Sequence, residues 1–345
     1  MRHNFFSKWL ASGLALTILM PLAIATTSSG ALAAESKLVI YSARKEHLLK
    51  PLLDEFSKET GIQTLLYTGK DSALIERLKA EGNQTEADIL MMADAGNLGY
   101  AAQQGLFKPL ASKIIEERIP VNLRDENGYW TGLSVRARTL VYATDRLQPQ
   151  SLKGYQDLSD PKWQGKLCLR TSKKVYNKSL VASLIAHYGE EQAEQIVRGW
   201  VNNLAAKPYA KDSQVMDAIL AGRCDVGIVN SYYFGRLLEK KPQVKLALFW
   251  ADQTGHGTHV NISGAGIVKH SDQTEKARTL IEWLTQNKAQ SLYAEVNQEY
   301  PADPNIPASK TVAAWGSFKA DDLSLSEVVR LQQQAVRLMQ KVGYR

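Results

Sequence analysis

The stretch Cys224-Asp-Val-Gly-Ile-Val-Asn-Ser-Tyr-Tyr-Phe-Gly235 decides the fold and points to a ligand site. Its short apolar run, Val226 to Val229, is typical of a buried strand. Two adjacent phenols, Tyr232 and Tyr233, follow at once, before a helical pattern begins at Phe234. In an open α/β sheet, ligands bind outside the carboxyl ends of the strands. The two phenols therefore lie where a ligand is expected.

The chemistry of this pair allows two interpretations. Phenolate oxygen is a hard, anionic donor that suits a highly charged cation, and a bound cation lets a phenol ionise well below its free pKa of about 10. Two neighbouring tyrosines, taken alone, are more often packing residues or the wet rim of a cleft. The rest of the chain has to decide between a metal site and packing.

Strands and helices alternate along the sequence, which predicts an α/β fold with mostly parallel sheets. Strands are predicted at 37–42, 62–67 and 87–92, and a second series begins near Thr139. The apolar, Gly-rich run Ile262 to Val268 suits a strand that crosses between lobes. We expect two lobes, each a mostly parallel sheet flanked by helices, with the ligand cleft between them. The expected boundaries are 34–137 plus 263–313 for lobe 1 and 138–262 plus 314–345 for lobe 2.

The first residues predict a secretory signal peptide over 1–33. Arg2 and Lys8 form a basic region, Leu10 to Ile24 is largely apolar, and Ala31-Leu-Ala33 is a small-x-small cleavage site. No later segment is long and apolar enough to span a bilayer. The sequence therefore predicts an exported, soluble mature chain of roughly 310 residues, which is long enough for two lobes.

Charge and motifs exclude several classes of function. The net charge is +7, and it falls to +5 when Arg2 and Lys8 are removed with the signal peptide. The positive residues are dispersed without a basic, aromatic-rich stretch, so nucleic acid is not an expected partner. The chain has no nucleophile elbow, His-Glu-x-x-His, P-loop or Gly-x-Gly-x-x-Gly after a strand, so an enzyme is not favoured.

The cysteines and histidines have structural interpretations. Cys168 and Cys224 each lie in or beside a predicted strand, and export permits a disulfide between them, with two buried thiols as the alternative. His256-Gly-Thr-His259 resembles a metal pair, but Gly257 places it in a flexible loop rather than on one helix face. We therefore interpret both histidines as structural.

Several motifs together identify a resemblance. They are Val39-Ile-Tyr-Ser-Ala-Arg44, Ala87-Asp-Ile-Leu90, Gly132-Leu-Ser-Val-Arg-Ala-Arg138, Lys207-Pro-Tyr-Ala-Lys-Asp212, Asn230-Ser-Tyr-Tyr233, His259-Val-Asn-Ile-Ser-Gly264 and Glu299-Tyr-Pro301. Over nearly the whole mature chain, the sequence resembles the periplasmic ferric-iron-binding proteins that serve ABC importers. This family belongs to the periplasmic binding proteins with the two-lobed, type II, transferrin-like fold.

The resemblance implies a ligand set for Fe(III). In that family the tyrosine pair ligates the ion, which here corresponds to Tyr232 and Tyr233. The branch most similar to this chain adds a third tyrosine from the loop after the strand at 165–170, which places that phenol at Tyr176. Three phenolates would neutralise the 3+ charge and leave positions for a synergistic anion such as carbonate.

Other ligands of the family are not carried over to this chain. Some members have a histidine after the first strand and a glutamate after the third, where this chain has Lys45 and Ala93-Asp94. Tyr41, His47 and Asp94 remain weaker candidates for an additional ligand. Candidates for anion binding are the guanidinium groups of two arginines and the side chains of two polar residues: Arg44, Arg136, Ser172 and Asn230.

The resemblance further implies delivery of iron to an inner-membrane ABC permease, and we expect a monomer with no membrane span in the mature chain. The predicted signal peptide has no lipobox cysteine, so we expect a Gram-negative periplasm as its location. The main alternative is a periplasmic binding protein for a small organic or anionic solute on the same fold. A secreted enzyme and a protein that buffers or senses iron without transporting it are further alternatives.

Overall fold

The computed structural model describes residues 36–345, so the predicted signal peptide at 1–33 lies outside the described residues. The strands are β1 (Leu38–Ser42), β2 (Thr64–Thr68), β3 (Ile89–Met92), β4 (Phe107–Lys108), β5 (Thr131–Ala143), β6 (Leu167–Cys168), β7 (Val226–Asn230), β8 (Leu246–Phe249), β9 (Val260–Val268) and β10 (Tyr300–Pro301). The helices are α1 (Glu46–Thr60), α2 (Asp71–Glu81), α3 (Ala95–Gln103), α4 (Lys113–Arg118), α5 (Val175–Asn202), α6 (Asp212–Leu220), α7 (Ser231–Lys240), α8 (Thr274–Leu284), α9 (Asn287–Asn297), α10 (Lys310–Ala313) and α11 (Leu325–Lys341). This alternation confirms the predicted α/β class. None of the helices between residues 36 and 345 combines the length and apolar character needed to cross a bilayer.

The sheet is mixed rather than uniformly parallel. Hydrogen-bonded strands follow the order β2-β1-β3-β9-β5-β7-β6, and β10, β4 and β8 add to this path at its sides. The pairs β1–β2, β1–β3 and β6–β7 are parallel, whereas β3–β9, β5–β9 and β5–β7 are antiparallel. Among the parallel strands, β1, β3, β6 and β7 are short and buried, as expected where helices cover both faces of a sheet, whereas the edge strand β2 is partly exposed.

The long strand β5 connects two regions of this sheet. Its first part, Thr131 to Ala137, pairs with β9, and its second part, Arg138 to Tyr142, pairs with β7. Every residue of the strand is buried. A single strand is therefore shared by both regions, and its pairing partner changes between two adjacent residues, Ala137 and Arg138.

The apolar residues form a large core and a smaller second cluster. The second cluster surrounds β6, β7 and α6, and includes Val141, Val215, Ile219 and Val229. A disulfide between Cys168 and Cys224 lies within it and joins the end of β6 to the residue preceding Asp225 and β7. The turn that carries the tyrosine pair therefore emerges from a strand that is held on both sides.

Helix α5 contains a break that divides it. The sequence predicts two helices, at Ser179–Tyr188 and Glu190–Leu204, and the structure has one element, Val175–Asn202, in which Gly189 is not helical. Gly189 has φ 78° and ψ 167°, a conformation that residues with a side chain rarely adopt. The segment before this glycine begins at Val175, next to the candidate site.

Candidate functional site

Tyr232 and Tyr233 lie in the first turn of α7, directly beyond the carboxyl end of β7. The sequence pattern placed the start of this helix at Phe234, but the helix begins at Ser231, with Asn230 as its extended N-cap residue. Tyr232 is buried and Tyr233 is half-buried, and their ring centroids are 4.4 Å apart. Because the helix starts earlier than expected, both phenols are fixed by helical backbone at the sheet edge.

Tyr176 joins this pair from a different element. It is the second residue of α5 and only 8% exposed. The Tyr232 hydroxyl donates a long hydrogen bond of 3.4 Å to the Tyr176 hydroxyl, and Asn230 Nδ2 lies 3.4 Å from the Tyr232 hydroxyl. The structure thus brings together all three phenols that the resemblance singled out. We refer to Tyr176, Tyr232 and Tyr233 as the phenol cluster.

Positive side chains surround the phenol cluster. Four of them have their charged group within 6.0 Å of a ring centroid: Arg136 at 5.1 Å and Lys174 at 5.3 Å from Tyr176, Arg170 at 5.3 Å from Tyr176 and 6.0 Å from Tyr233, and Arg236 at 4.8 Å from Tyr232 and 5.9 Å from Tyr233. These cations favour phenolate over phenol. They also provide donors for an anion bound beside the phenols.

Burial opposes ionisation of the two enclosed phenols. It raises the pKa of Tyr176, an effect that Arg136 partly offsets, and it raises the pKa of Tyr232 well above 10, where the neighbouring phenols Tyr176 and Tyr233 raise it further. Both groups are therefore neutral at physiological pH in the absence of a ligand. A multivalent cation is the kind of ligand that would displace these protons, and its binding would release them.

A buried network behind the cluster positions Asn230. Arg138 Nη1 donates to Asn230 Oδ1 at 3.0 Å and lies 3.3 Å from Asp212 Oδ2. Arg138 Nε donates to Asn177 Oδ1 at 3.0 Å, one residue beyond Tyr176. Asn177 Nδ2 in turn donates to the Arg170 carbonyl at 2.8 Å. This network ties the start of α5, the end of β7 and the strand β5 into one arrangement around the phenols.

Two of the predicted candidates, Arg136 and Asp94, form a buried ion pair with each other. Arg136 Nη2 pairs with Asp94 Oδ2 at 2.8 Å, and Asp94 also caps α3 and accepts from Ser179 Oγ at 2.7 Å. Both carboxylate oxygens of Asp94 are thus occupied by protein donors. Arg136 nevertheless faces the Tyr176 ring, so it lies at the predicted site while its charge is shared with Asp94.

Arg44 is engaged by partners outside the phenol cluster. Its guanidinium pairs with Glu299 at 2.6 Å and donates to Asn297 Oδ1 at 2.8 Å. Within residues 36–345, no hydrogen bond or ring contact joins Arg44 to Tyr176, Tyr232 or Tyr233. An anion-binding role for Arg44 would require a rearrangement of this pair.

The remaining candidates have separate surroundings. The Tyr41 hydroxyl donates to the Glu81 carboxylate at 3.1 Å, and burial with this hydrogen bond raises its pKa to about 12. His47 is exposed in the first turn of α1. Ser172 is half-buried in the turn before α5, four residues before Tyr176. Of these three, only Ser172 lies on a segment that forms the site.

The two loop histidines do not face each other. The His256 ring stacks on His187 with centroids 3.8 Å apart, and His187 Nε2 lies 2.9 Å from Asp321 Oδ2. His259 is buried separately, and burial lowers its pKa to about 4. Among residues 36–345, no group of three or more His, Cys, Asp or Glu side chains is arranged to hold a metal ion.

His259 predicts a specific dependence of stability on pH. Its folded pKa of about 4 lies below the unfolded value of about 6.5, so its neutral form is favoured in the folded state. The stability that depends on this neutral form is complete above about pH 6.5 and is lost as the pH falls toward 4. Between pH 8 and pH 5 this corresponds to about 2 kcal/mol of unfolding free energy.

The measurement is urea unfolding of wild type and His259→Asn at both pH values. Burial raises the pKa of Asp252 to about 6, so the stability that its protonated form contributes is lost as the pH rises, opposite to the effect of His259. The pH dependence of the unfolding free energy of each variant is therefore compared with that of wild type. We expect acidification to destabilise His259→Asn by about 2 kcal/mol less than wild type. The exposed His270, changed to Asn, is the matched control. Equal pH dependence in His259→Asn and wild type would contradict the assignment.

Sequence reasoning missed Arg170, Arg236 and the Arg138–Asp212 pair. The spacing of Arg236 contains a usable signal, because it lies four residues after Tyr232, and residues i and i+4 share a helix face. That signal depends on the helix beginning at Ser231 rather than at Phe234. The sequence indicates for Arg170 only that it is the last residue of a predicted strand. Nothing local to its sequence indicates that it turns toward Tyr176 and Tyr233.

The fold and the enclosed polar cluster define a binding protein with a ligand site at the carboxyl ends of its strands. The chain belongs to the family of bacterial extracellular solute-binding proteins, whose match covers residues 84–319. This membership places it among binding proteins rather than enzymes.

Relatives within this family share most of the chain. Iron uptake protein A2 of Synechocystis sp. is 39% identical over 352 residues, which cover 99% of this chain and 98% of the relative. A solved structure of the Trichodesmium protein IdiA (FutA) in complex with iron and citrate ligands is 39% identical, with a TM-score of 0.87, and covers 90% of this chain and all of that one. Ferric iron-binding protein A of Mannheimia haemolytica, solved in an open conformation, is 38% identical, with a TM-score of 0.84 and coverage of 90% and 99%.

Proposed function

We propose that this protein is a periplasmic Fe(III)-binding protein of iron uptake, in which Tyr176, Tyr232 and Tyr233 coordinate the ion as phenolates. The observation that carries the proposal is the convergence of these three phenols, from two helix starts, among arginine and lysine side chains. Its relatives are named for iron uptake and ferric iron binding, which supports the same cargo here.

Charge balance explains why three phenols suit Fe(III). Three phenolates neutralise a 3+ ion, and hard anionic oxygen donors match a hard cation. A divalent ion in the same site would leave a net negative charge on the phenolates. The surrounding guanidinium and ammonium groups supply positive charge that would balance an additional anion bound beside the ion.

Such an anion would occupy the remaining coordination positions, and carbonate fits the donors that are available. Guanidinium groups bind planar oxyanions with paired hydrogen bonds. Arg170 is one well placed donor, because its guanidinium faces two of the phenols. Its buried Nη1 has no hydrogen-bond partner among residues 36–345, although it lies 3.5 Å from Asp212 Oδ2 in an ion pair. Arg136, Asn230 and Ser172 are the further candidates, whereas Arg44 would have to leave Glu299.

Domain closure would bury the ion. We place lobe 1 at 34–137 plus 263–313 and lobe 2 at 138–262 plus 314–345. The change of partner in β5 between Ala137 and Arg138 supports the first boundary. All three phenols then belong to lobe 2, which would load the ion before lobe 1 closes over it. The open conformation recorded for the Mannheimia relative supports an opening motion in this family.

Delivery to an inner-membrane ABC permease, export by a signal peptide at 1–33 and a monomeric state complete the proposal. The family membership and the relatives' iron uptake roles support transport. The same site on a protein that binds a small organic or anionic solute would hold no metal, and the phenols would stack on that solute or hydrogen-bond to it. Metal coordination is therefore the property to test first.

The test is a visible absorption spectrum during titration with ferric citrate. We expect wild type to develop a broad phenolate-to-iron charge-transfer band, with release of protons as the phenols ionise. Tyr233→Phe should weaken or shift the band. Tyr142→Phe is the matched control, since it removes a buried phenol from β5 outside the cluster and should leave the band unchanged. Absence of any band in a folded wild type, without tight ferric binding, would overturn the proposal in favour of an organic or anionic solute.

A further inference from the structure

A lysine-rich cavity of about 630 Å³ opens beside the phenol cluster. Its lining comes from the turn before α2, the first part of α3, the turn before α5 with the start of that helix, and the middle of α11. We call it the lysine cavity, after four of its lining residues: Lys70, Lys173, Lys174 and Lys178. The only carboxylate among its lining residues is Asp71.

Most of this positive charge is not compensated by the protein. Lys174 Nζ lies 3.6 Å from Asp71 Oδ2, and Asp71 Oδ1 accepts from Asn97 Nδ2 at 2.9 Å, so this carboxylate is already occupied. Within residues 36–345, Lys70, Lys173 and Lys178 form no ion pair. Three ammonium groups therefore face one cavity without a protein counter-charge.

Two helix starts add to the attraction for an anion. Helix α2 has 11 residues and α5 has 28, and neither N-cap residue, Lys70 or Lys174, provides a side-chain cap. The first backbone N–H groups of a helix lack an intrahelical partner and carry partial positive charge. Asp71, Ser72 and Val175, from these first turns, line the cavity. The helix starts thus reinforce the field of the lysines.

The cavity adjoins the proposed iron site. Val175, which lines it, precedes Tyr176, and Lys174 Nζ lies 5.3 Å from the centroid of the Tyr176 ring. None of the three phenols lines the cavity itself, so a molecule in it would lie next to the turn that carries Tyr176. Because residues from several separate parts of the chain line the cavity, such a molecule would contact more than one of them at once.

We infer that the lysine cavity binds the uncoordinated carboxylates of a multiply charged ferric chelate, and so selects an anionic polycarboxylate complex over a neutral one. This inference rests on the proposed function, since it concerns the form in which the ion arrives. A polycarboxylate carries several charges on a small molecule, which matches three uncompensated ammonium groups in a cavity of this volume. The same carboxylates could come from the chelate or from the free chelator, and the experiment separates these sources.

The experiment compares iron donors of different charge. Wild type is titrated with ferric citrate, which is anionic, and with neutral ferric tris(acetohydroxamate), and the phenolate-to-iron charge-transfer band, recorded after unbound donor is removed by gel filtration, reports binding. The test variant K70Q/K173Q/K178Q removes the three uncompensated lysines. The control variant K113Q/K269Q/K310Q makes the same change in net charge at exposed lysines outside the cavity. A third variant, K70R/K173R/K178R, preserves the positive charge.

We expect the test variant to need about ten-fold more ferric citrate for half-saturation than wild type, and to respond to ferric acetohydroxamate as wild type does. The arginine variant should stay close to wild type, and the difference should shrink at high salt. Equal curves for the test and control variants with ferric citrate would overturn the inference. An equal loss with both iron donors would do the same, because it would indicate general damage to the site.

Calorimetry with citrate alone on iron-free protein shows whether the cavity binds the free chelator as well as the ferric chelate. It also separates a failure of the proposed iron binding from a failure of the lysine cavity as an anion site. Weak citrate binding that is lost in the test variant shows that the cavity takes the free anion as well. If wild type forms no band with either donor, the proposed function fails, and citrate binding that is lost in the test variant would still support an anion site. If no citrate binding and no difference between the two donors are found, the lysine cavity has no such role.

Discussion

Replacement of Tyr232 with Phe is expected to lower the affinity for Fe(III) by well over 100-fold. Tyr232 is the central member of the phenol cluster, because its hydroxyl contacts the Tyr176 hydroxyl and its ring packs on Tyr233. Loss of a residue that only supports a metal ligand costs roughly 10- to 100-fold in affinity. Loss of a coordinating oxygen, together with its charge, should cost more.

Affinity is measured by competition with a chelator of known strength, at constant pH. Asn230→Ala should fall in the range of roughly 10- to 100-fold, because Asn230 contacts the Tyr232 hydroxyl without being a proposed ligand. Tyr142→Phe should bind as wild type does. Wild-type affinity in Tyr232→Phe would remove Tyr232 from the coordination shell and leave it a packing role.

Replacement of Cys168 and Cys224 with alanine is expected to lower the free energy of unfolding by about 4 kcal/mol, since the bridge closes a loop of 56 residues. The loop contains all of α5, which carries Tyr176, and all of α6. The bridge removes conformations from the unfolded chain, and the cost of losing it grows with loop length.

Urea unfolding with and without a reducing agent measures this effect. Wild type should lose stability on reduction by a similar amount, whereas the double alanine variant should not respond to the reductant. A single replacement, Cys168→Ala, should behave as the double variant does, since either change removes the bridge. A loss of less than about 1 kcal/mol in the double variant would contradict the expectation.

The order of strands and helices could be predicted from local patterns, but the direction of strand pairing could not. Alternating elements predict an α/β class, and the apolar runs at β1, β3 and β7 were located closely. The antiparallel pairing of β5 with β9 joins residues more than 120 positions apart, such as Val135 and Ile262. Such pairings depend on the path of the chain between the two strands, and the sequence of neither strand indicates that path.

The side chains proposed to bind the ion were easier to predict from the sequence than the side chains around them. The adjacent phenols at the end of an apolar run, with the family resemblance, pointed to Tyr232, Tyr233 and Tyr176. The arginines were harder to assign, because a long side chain reaches partners that lie far away in sequence. Arg44 illustrates this, since its carboxylate partner Glu299 lies 255 positions away.

The strand β5 has a consequence for how such a molecule can be divided. A cut between Ala137 and Arg138 leaves each region its own part of β5, but it separates the first region from β9, which lies between β3 and β5 in the sheet. Strand β9 comes late in the sequence, at Val260–Val268, yet it pairs with β3 of the first region. Neither half of the sequence is therefore a self-contained module that could be exchanged by recombination at a single point. Changes of ligand specificity in this architecture must arise by substitution within one inherited unit, or by exchanges at two or more points at once.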